Sequence, residues 1–168
     1  ATQIASWQGA RVIGVVRKDE PYVGHAHGEV TVIDSSRNDV AATVRELTGG
    51  KGVDIVYNTV GEPYYDAGTK SLAHLGRQIF IASNKATVPF DIFAFYRGKH
   101  TYFGVDSLSL TSPEAGEILR ELVPGFASGA LKPFPIKPDA IYPLERAAEA
   151  YVAVLGSSRD RLVFQPNG

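Results

Sequence analysis

A chain of 168 residues, 44% of them hydrophobic, is long and apolar enough to fold as one domain, or as one domain with part of a second, which excludes disorder as the default. Its 17 basic and 18 acidic residues are scattered and nearly cancel, leaving no basic stripe for nucleic acid and no amphipathic membrane helix, so a small molecule is the expected partner. The absence of cysteine excludes a disulfide, a thiolate metal site and a cysteine nucleophile; with no apolar run near ~20 residues and no leader pattern, neither a span nor a signal peptide is expected, and a cytoplasmic setting is.

The opening stretch, ATQIASWQGARVIGVV, places Ile4, Ala5 and Trp7 on one side of a short helix that Gly9 ends, then enters an apolar strand at 11 to 16. A weak helix is predicted near 20 to 27, a strand at 30 to 33, a helix at 37 to 48, a strand at 53 to 58, a helix at 64 to 74 and a strand at 77 to 82. The strands are continuous apolar runs such as VDIVY and RQIFIA, separated by helices, the pattern of a parallel sheet covered on both faces; the class is α/β. A helical connection over 90 to 100 and a strand at 101 to 105 come next. From about residue 107 the texture changes to a Pro-initiated helix near 113 to 123, an extended proline-spaced stretch, a helix at 144 to 155 and a last strand RLVFQ.

A helix that feeds a buried strand needs a sheet already present. In doubly wound folds it follows a first strand and a glycine-rich turn that holds a dinucleotide's pyrophosphate, and neither stands before Ala1. LTGGKG does not replace that turn: it follows a helix and precedes a strand, and Gly52 rather than Ser or Thr follows Lys51, so Gly49 and Gly50 are expected to cap the helix. His25 and His27 stand two apart in a segment broken by Pro21 and Gly24, without a cluster to complete a tetrahedral site, and no metal site is expected. Tyr57, Tyr64, Tyr65, Tyr96 and Tyr102 read as core or surface aromatics. No catalytic acid, base or nucleophile is identified, and catalytic residues stay unknown.

The phrases QIASWQGARVIGV, GEVTVID, VRELTGGKGVDIVYNTVG, SLAHLGRQIFIAS, GALKPFPI and YPLERAAEAYVAVLGSS…RLVFQP, in this order, resemble the medium-chain dehydrogenase/reductase superfamily, nearest its quinone oxidoreductase and zinc-type alcohol dehydrogenase branches. The resemblance implies a Rossmann-like doubly wound parallel sheet lacking its first strand and glycine-rich turn. Residues 1–106 would be a partial dinucleotide-binding domain and 107–168 a segment returning to a catalytic domain, so that the chain is a C-terminal fragment, inactive by itself. It implies the cofactor-binding portion of an NADPH-dependent oxidoreductase, transferring hydride to a quinone, an enone or a carbonyl. Alternatives are a zinc-type alcohol dehydrogenase, an enoyl-reductase unit, or a non-catalytic nucleotide-binding or interaction module; zinc in the longer protein stays undecided.

On that likeness Arg17 and Lys18 stand where a carboxylate would bind the ribose of NAD, and would accept the 2′-phosphate of NADP; a solvated pair beside Asp19 and Glu20 is the plain alternative. Ser35, with Ser36, would frame adenine or ribose, or cap the helix starting at Arg37. Thr59, Val60 and Gly61 would lie beside the cofactor ribose and nicotinamide, Ser83 and Asn84 correspond to them on the next strand, and Phe103, Gly104 and Val105 would offer backbone groups to the carboxamide. The resemblance also implies a homodimer paired through the 101 to 105 edge strand. Without a first strand, those at 11 to 16 and 53 to 58 would either close on each other or take a segment from another chain.

Overall fold

The computed structural model describes residues 1–18, 22, 24–156 and 161–166. Helix α1 (Thr2–Trp7) ends at Gly9, whose φ of +83° suits glycine. Strand β1 (Val12–Val16) comes next and pairs in parallel with β2 (Val30–Asp34), from Val12 against Val30 to Val16 against Asp34. The helix expected near 20 to 27 does not form among the described residues of that stretch. Gly24 carries little helix propensity there, and side chains hold the chain irregular: Tyr22 Oη donates to the His25 carbonyl, and the His25 ring nitrogen Nε2 to the Ala130 carbonyl. The remainder of the predicted helix, residues 20, 21 and 23, lies outside the described residues.

Helix α2 (Val40–Leu47) begins three residues later than expected because Asp39, whose carboxylate accepts from the Ala42 amide at 2.9 Å, is its N-cap. Ser35 and Ser36 therefore do not cap it; Ser36 donates its amide and hydroxyl to Asp34 Oδ1 instead. Gly49 and Gly50, at φ +61° and +84°, turn the chain out of α2. Strands β3 (Val53–Asn58), β4 (Leu72–Phe80) and β5 (Thr101–Gly104) form a second parallel sheet in that order. Between them run α3 (Tyr65–Ser71) and α4 (Ile92–Gly98).

The strand expected at 77 already starts at Leu72, and α3 stops correspondingly early. Arg45 explains the stop: its guanidinium donates to the carbonyls of Lys70 and Leu72 at the end of α3, and to those of Gly50 and Lys51 after α2. Carbonyls left without helical partners are thus satisfied by one side chain. Val44 of α2 and Leu72 and Ala73 of β4 are buried, and Gln78 is fully buried in a polar network through Thr69 to Tyr102.

Helices α2 and α3 pack on each other, yet β1 and β3 do not pair. The sheet is in two pieces, and each of those strands keeps one edge without a ladder among the described residues. This is the arrangement of a doubly wound parallel sheet whose central strand is not supplied by the chain itself.

Helix α5 (Ser112–Ala127) opens on a capping box in which the Thr111 hydroxyl accepts the Glu114 amide and the Glu114 carboxylate accepts the Thr111 amide. It continues four residues past the expected end, through Pro124. Proline costs one helical donor, and the end is closed by the Ser128, Gly129 and Leu131 amides on the carbonyls of Pro124, Phe126 and Gly125. Gly125 packs against Leu131 and the ring of Trp7, and Gln3 exchanges two hydrogen bonds with the Lys132 backbone, tying α5 to α1. Strand β6 (Ile141–Tyr142), helix α6 (Ala147–Leu155) and strand β7 (Val163–Phe164) complete the described chain, with β6 and β7 paired in parallel.

Candidate functional site

Parallel strands all deliver their carboxyl ends to one rim of a sheet, and the loops after them converge there. On the three-stranded piece Asn58, Phe80 and Gly104 lie in one register row. Asn58 shapes the turn after β3: its buried Oδ1 accepts from the amides of Val60 and Gly61 at 3.0 and 2.7 Å, while Nδ2 donates to the Gly61 carbonyl at 2.9 Å. Gly61 has φ +90°, and a Cβ there would come within 2.4 Å of Ser83 Cα and 2.7 Å of the Ala82 carbonyl. Only glycine lets this turn touch the loop after β4 so closely.

On the two-stranded piece, Arg17 follows β1 and Ser35 follows β2. The amide and hydroxyl of Ser35 both donate to the Val16 carbonyl, at 2.8 and 2.9 Å. Tyr64 reaches across from the turn after β3 and places its hydroxyl 2.9 Å from Ser35 Oγ. Beneath this bridge opens a cleft of about 650 Å³ whose lining includes Arg17, Ser35, Asn38, Tyr64, Lys70 and Asn84. Lys70 is engaged by Asp66 at 2.6 Å, a hydrogen bond that holds its ammonium above its ordinary range. Arg17 is exposed and has no ion pair among the described residues. Asp34 does not line this cleft; the Ser36 hydroxyl and amide hold its carboxyl below the usual range, with Arg37 Nε 3.6 Å from Oδ2.

A second hollow of about 300 Å³ lies beside it, walled by Tyr65, Phe80, Phe90 and Tyr102, with Gly61 and Ser83 also in its lining. Burial, reinforced by Tyr102, pushes the Tyr65 hydroxyl up to about 12, so it stays protonated at neutral pH.

Of the residues expected at a cofactor, Arg17, Ser35 and Asn84 meet in the larger cleft, and Gly61 and Ser83 in the smaller. Thr59, Val60, Phe103, Gly104 and Val105 stand at the same rim but line neither, and Lys18 is exposed outside both. Tyr64, which the sequence groups with core or surface aromatics, is half-buried in the wall of the larger cleft. It stands six residues past the end of β3, and its contact with Ser35 joins two sheet pieces and has no local sequence pattern, so no signal in the sequence marked it. Among the described residues no three histidine or carboxylate side chains gather as metal ligands, and no helix is long and apolar enough to cross a membrane.

Human quinone oxidoreductase is 26% identical over 167 residues, covering 94% of this chain and 47% of that protein. A 2-haloacrylate reductase of Burkholderia sp is 46% identical over 55 residues, covering 32% of this chain and 16% of that protein. The solved quinone oxidoreductase of Pseudomonas syringae pv. Tomato DC3000 superposes with a TM-score of 0.75 at 28% identity, covering 98% of this chain and 51% of that one. The chain thus spans less than half of either curated relative and about half of the solved one. The family described as zinc-binding dehydrogenase matches residues 1–123. With that match across most of its length and the parallel α/β sheet beneath it, the chain belongs to the zinc-binding dehydrogenase family of the medium-chain dehydrogenase/reductase superfamily.

Proposed function

We propose that the chain is the cofactor-binding portion of a longer NADPH-dependent oxidoreductase that reduces an electron-poor conjugated substrate, a quinone or an enone, or a carbonyl. The observation that carries this is Arg17, placed at the carboxyl end of β1 over a polar cleft with no ion pair among the described residues. A guanidinium there offers a planar fork of donors to a ribose 2′-phosphate, where an NAD-dependent site has a carboxylate. Lys18 adds a mobile positive charge beside it. The names of the relatives favour the substrate class, since quinones and haloacrylates both carry a conjugated, electron-poor double bond.

In this reading Ser35 binds the adenosine ribose and base, and Asn84, expected with Ser83 on the nicotinamide side, joins it because it lines the larger cleft. Thr59, Val60, Gly61 and Ser83 lie along the ribose and nicotinamide, and the backbone of Phe103, Gly104 and Val105 meets the carboxamide. The cofactor, when bound, supplies the hydride; the chain's residues orient it. The chain by itself holds no pyrophosphate turn and does not turn over substrate. Residues 1–106 act as the dinucleotide domain and 107–168 as the segment that packs on the rest of the protein, which accords with the exposed apolar side chains of α5, Ile118, Leu119 and Val123. Two copies pair through the β5 edge.

The described residues supply no donor set for the zinc in the family's description: the chain has no cysteine, and no three histidine or carboxylate side chains come together among the described residues, so no step is assigned to a metal here and zinc in the longer protein stays undecided.

The test is equilibrium binding of NADPH and NADH to the longer protein and to its Arg17→Ala and Arg17→Asp variants. NADPH should bind more tightly at the outset and lose on the order of tenfold or more, NADH little. Equal losses for both cofactors, or an initial preference for NADH, would overturn the assignment.

A further inference from the structure

We infer that Tyr64 is the positioning residue for the purine end of the ligand, its ring serving as the face on which the base of a purine nucleoside 2′-phosphate lies. The inference rests on the cofactor reading above and adds to it a residue and a role. Among the described residues lining the larger cleft, Tyr64 is the one aromatic side chain, and Val40 and Ala41 supply apolar surface to the same cleft. A half-buried, edge-anchored ring beside small apolar groups suits a flat base, for which stacking on an aromatic contributes about 1–3 kcal/mol per base.

What distinguishes this ring is how it is held. The Val16 carbonyl can only accept, so the Ser35 hydroxyl gives its proton to it, and Ser35 Oγ receives the Tyr64 hydroxyl. The relay Tyr64 to Ser35 to Val16 runs from the turn after β3 to the ends of β2 and β1, between sheet pieces whose neighbouring strands β1 and β3 do not pair. It fixes the ring relative to Arg17, which immediately follows Val16. Base and 2′-phosphate are the two ends of one adenosine moiety, and ring and guanidinium are thereby held at a set separation. Pro63, which precedes Tyr64, restricts the backbone that carries the ring. A hydroxyl donating to Ser35 keeps its lone pairs for the ligand, so the phenol can also accept a hydrogen bond from an amino or hydroxyl group of the nucleoside.

The experiment uses the 168-residue chain, with 2′,5′-ADP and 5′-AMP as probes that carry the adenosine end alone. Calorimetric titrations are run on the unsubstituted chain and on Tyr64→Leu, Tyr64→Phe and Arg17→Ala, alongside nuclear Overhauser measurements between adenine H2 or H8 and the Tyr64 ring protons in the unsubstituted chain. Tyr64→Leu should weaken both ligands by a similar factor, roughly 5- to 150-fold, leaving their ratio unchanged. Tyr64→Phe, which keeps the face and loses the relay, should recover only part of that loss, and Arg17→Ala should collapse the ratio between the two ligands. Absence of any 2′,5′-ADP binding by the unsubstituted chain would overturn both the cofactor reading and this inference. Binding with an Arg17-dependent ratio but no loss on Tyr64→Leu, or no Overhauser effect to the Tyr64 ring, would overturn the inference alone. The Overhauser result needs no variant to fold.

Discussion

Gly61 shows how one residue decides whether the rim of the sheet can form. Its φ of +90° lies where side chains are strained, and the space a Cβ would need is filled by backbone atoms of the loop after β4, which cannot rotate away. Gly61→Ala should therefore cost on the order of 3 kcal/mol, from strain and overpacking together, measured as a lowered denaturation midpoint. Gly116, in α5 with open space around it, is the control: alanine there should be neutral or stabilise by up to about 1 kcal/mol. A Gly61→Ala variant as stable as the unsubstituted chain would contradict the close approach. At this scale the sequence was informative about strand ends. Arg17, Ser35 and Asn84 each follow a readable apolar run, and the structure brings them into one cleft. Tyr64 was not legible, because its significance is a hydrogen bond to a residue 29 positions earlier on another sheet piece.

Elements with a strong local code matched their expected places. Strand β3 has the predicted limits, because six apolar-rich residues lie between two glycine-containing turns. Where particular hydrogen bonds override the apolar period the expectation failed: Arg45 reaches over from α2 and shortens α3, the local cap at Asp39 delays α2, and irregular chain replaces the helix near 20 to 27 among its described residues. The edge strand β5 carries the assembly proposal. Phe103 and Val105 are 46% and 48% exposed, and the edge away from β4 has no ladder partner among the described residues. An unprotected apolar edge pairs readily with its own copy about a two-fold axis. Light scattering during size-exclusion chromatography should find a dimer, and Phe103→Lys a monomer. A monomeric unsubstituted chain, or a variant dimer of unchanged stability, would contradict pairing through this edge.

For the whole molecule, the α/β class was written in the alternation of apolar runs and helices; the missing central strand was expected from the resemblance, but β1 and β3 do not close on each other, and the sheet stays in two pieces. Physically the division arises from α2 and α3, which pack on each other and hold the pieces without either strand edge being satisfied. Ile55 and Tyr57 on β3, expected under cover on both faces of the sheet, are instead 48% and 47% exposed. The two clefts nonetheless form at the carboxyl rim, because the loops that build them are tied by Asn58, Ser35 and Tyr64 and not by a central strand. The adenosine end of the ligand should therefore find its site in this chain unaided. The central claim is tested most directly by following the backbone amide resonances of the chain while 2′,5′-ADP is added. Saturable shifts should concentrate at Arg17, Ser35, Asn38, Tyr64 and Asn84, with β6, α6 and β7 unmoved. Saturable shifts centred away from the carboxyl rim, or none at millimolar ligand, would contradict the claim.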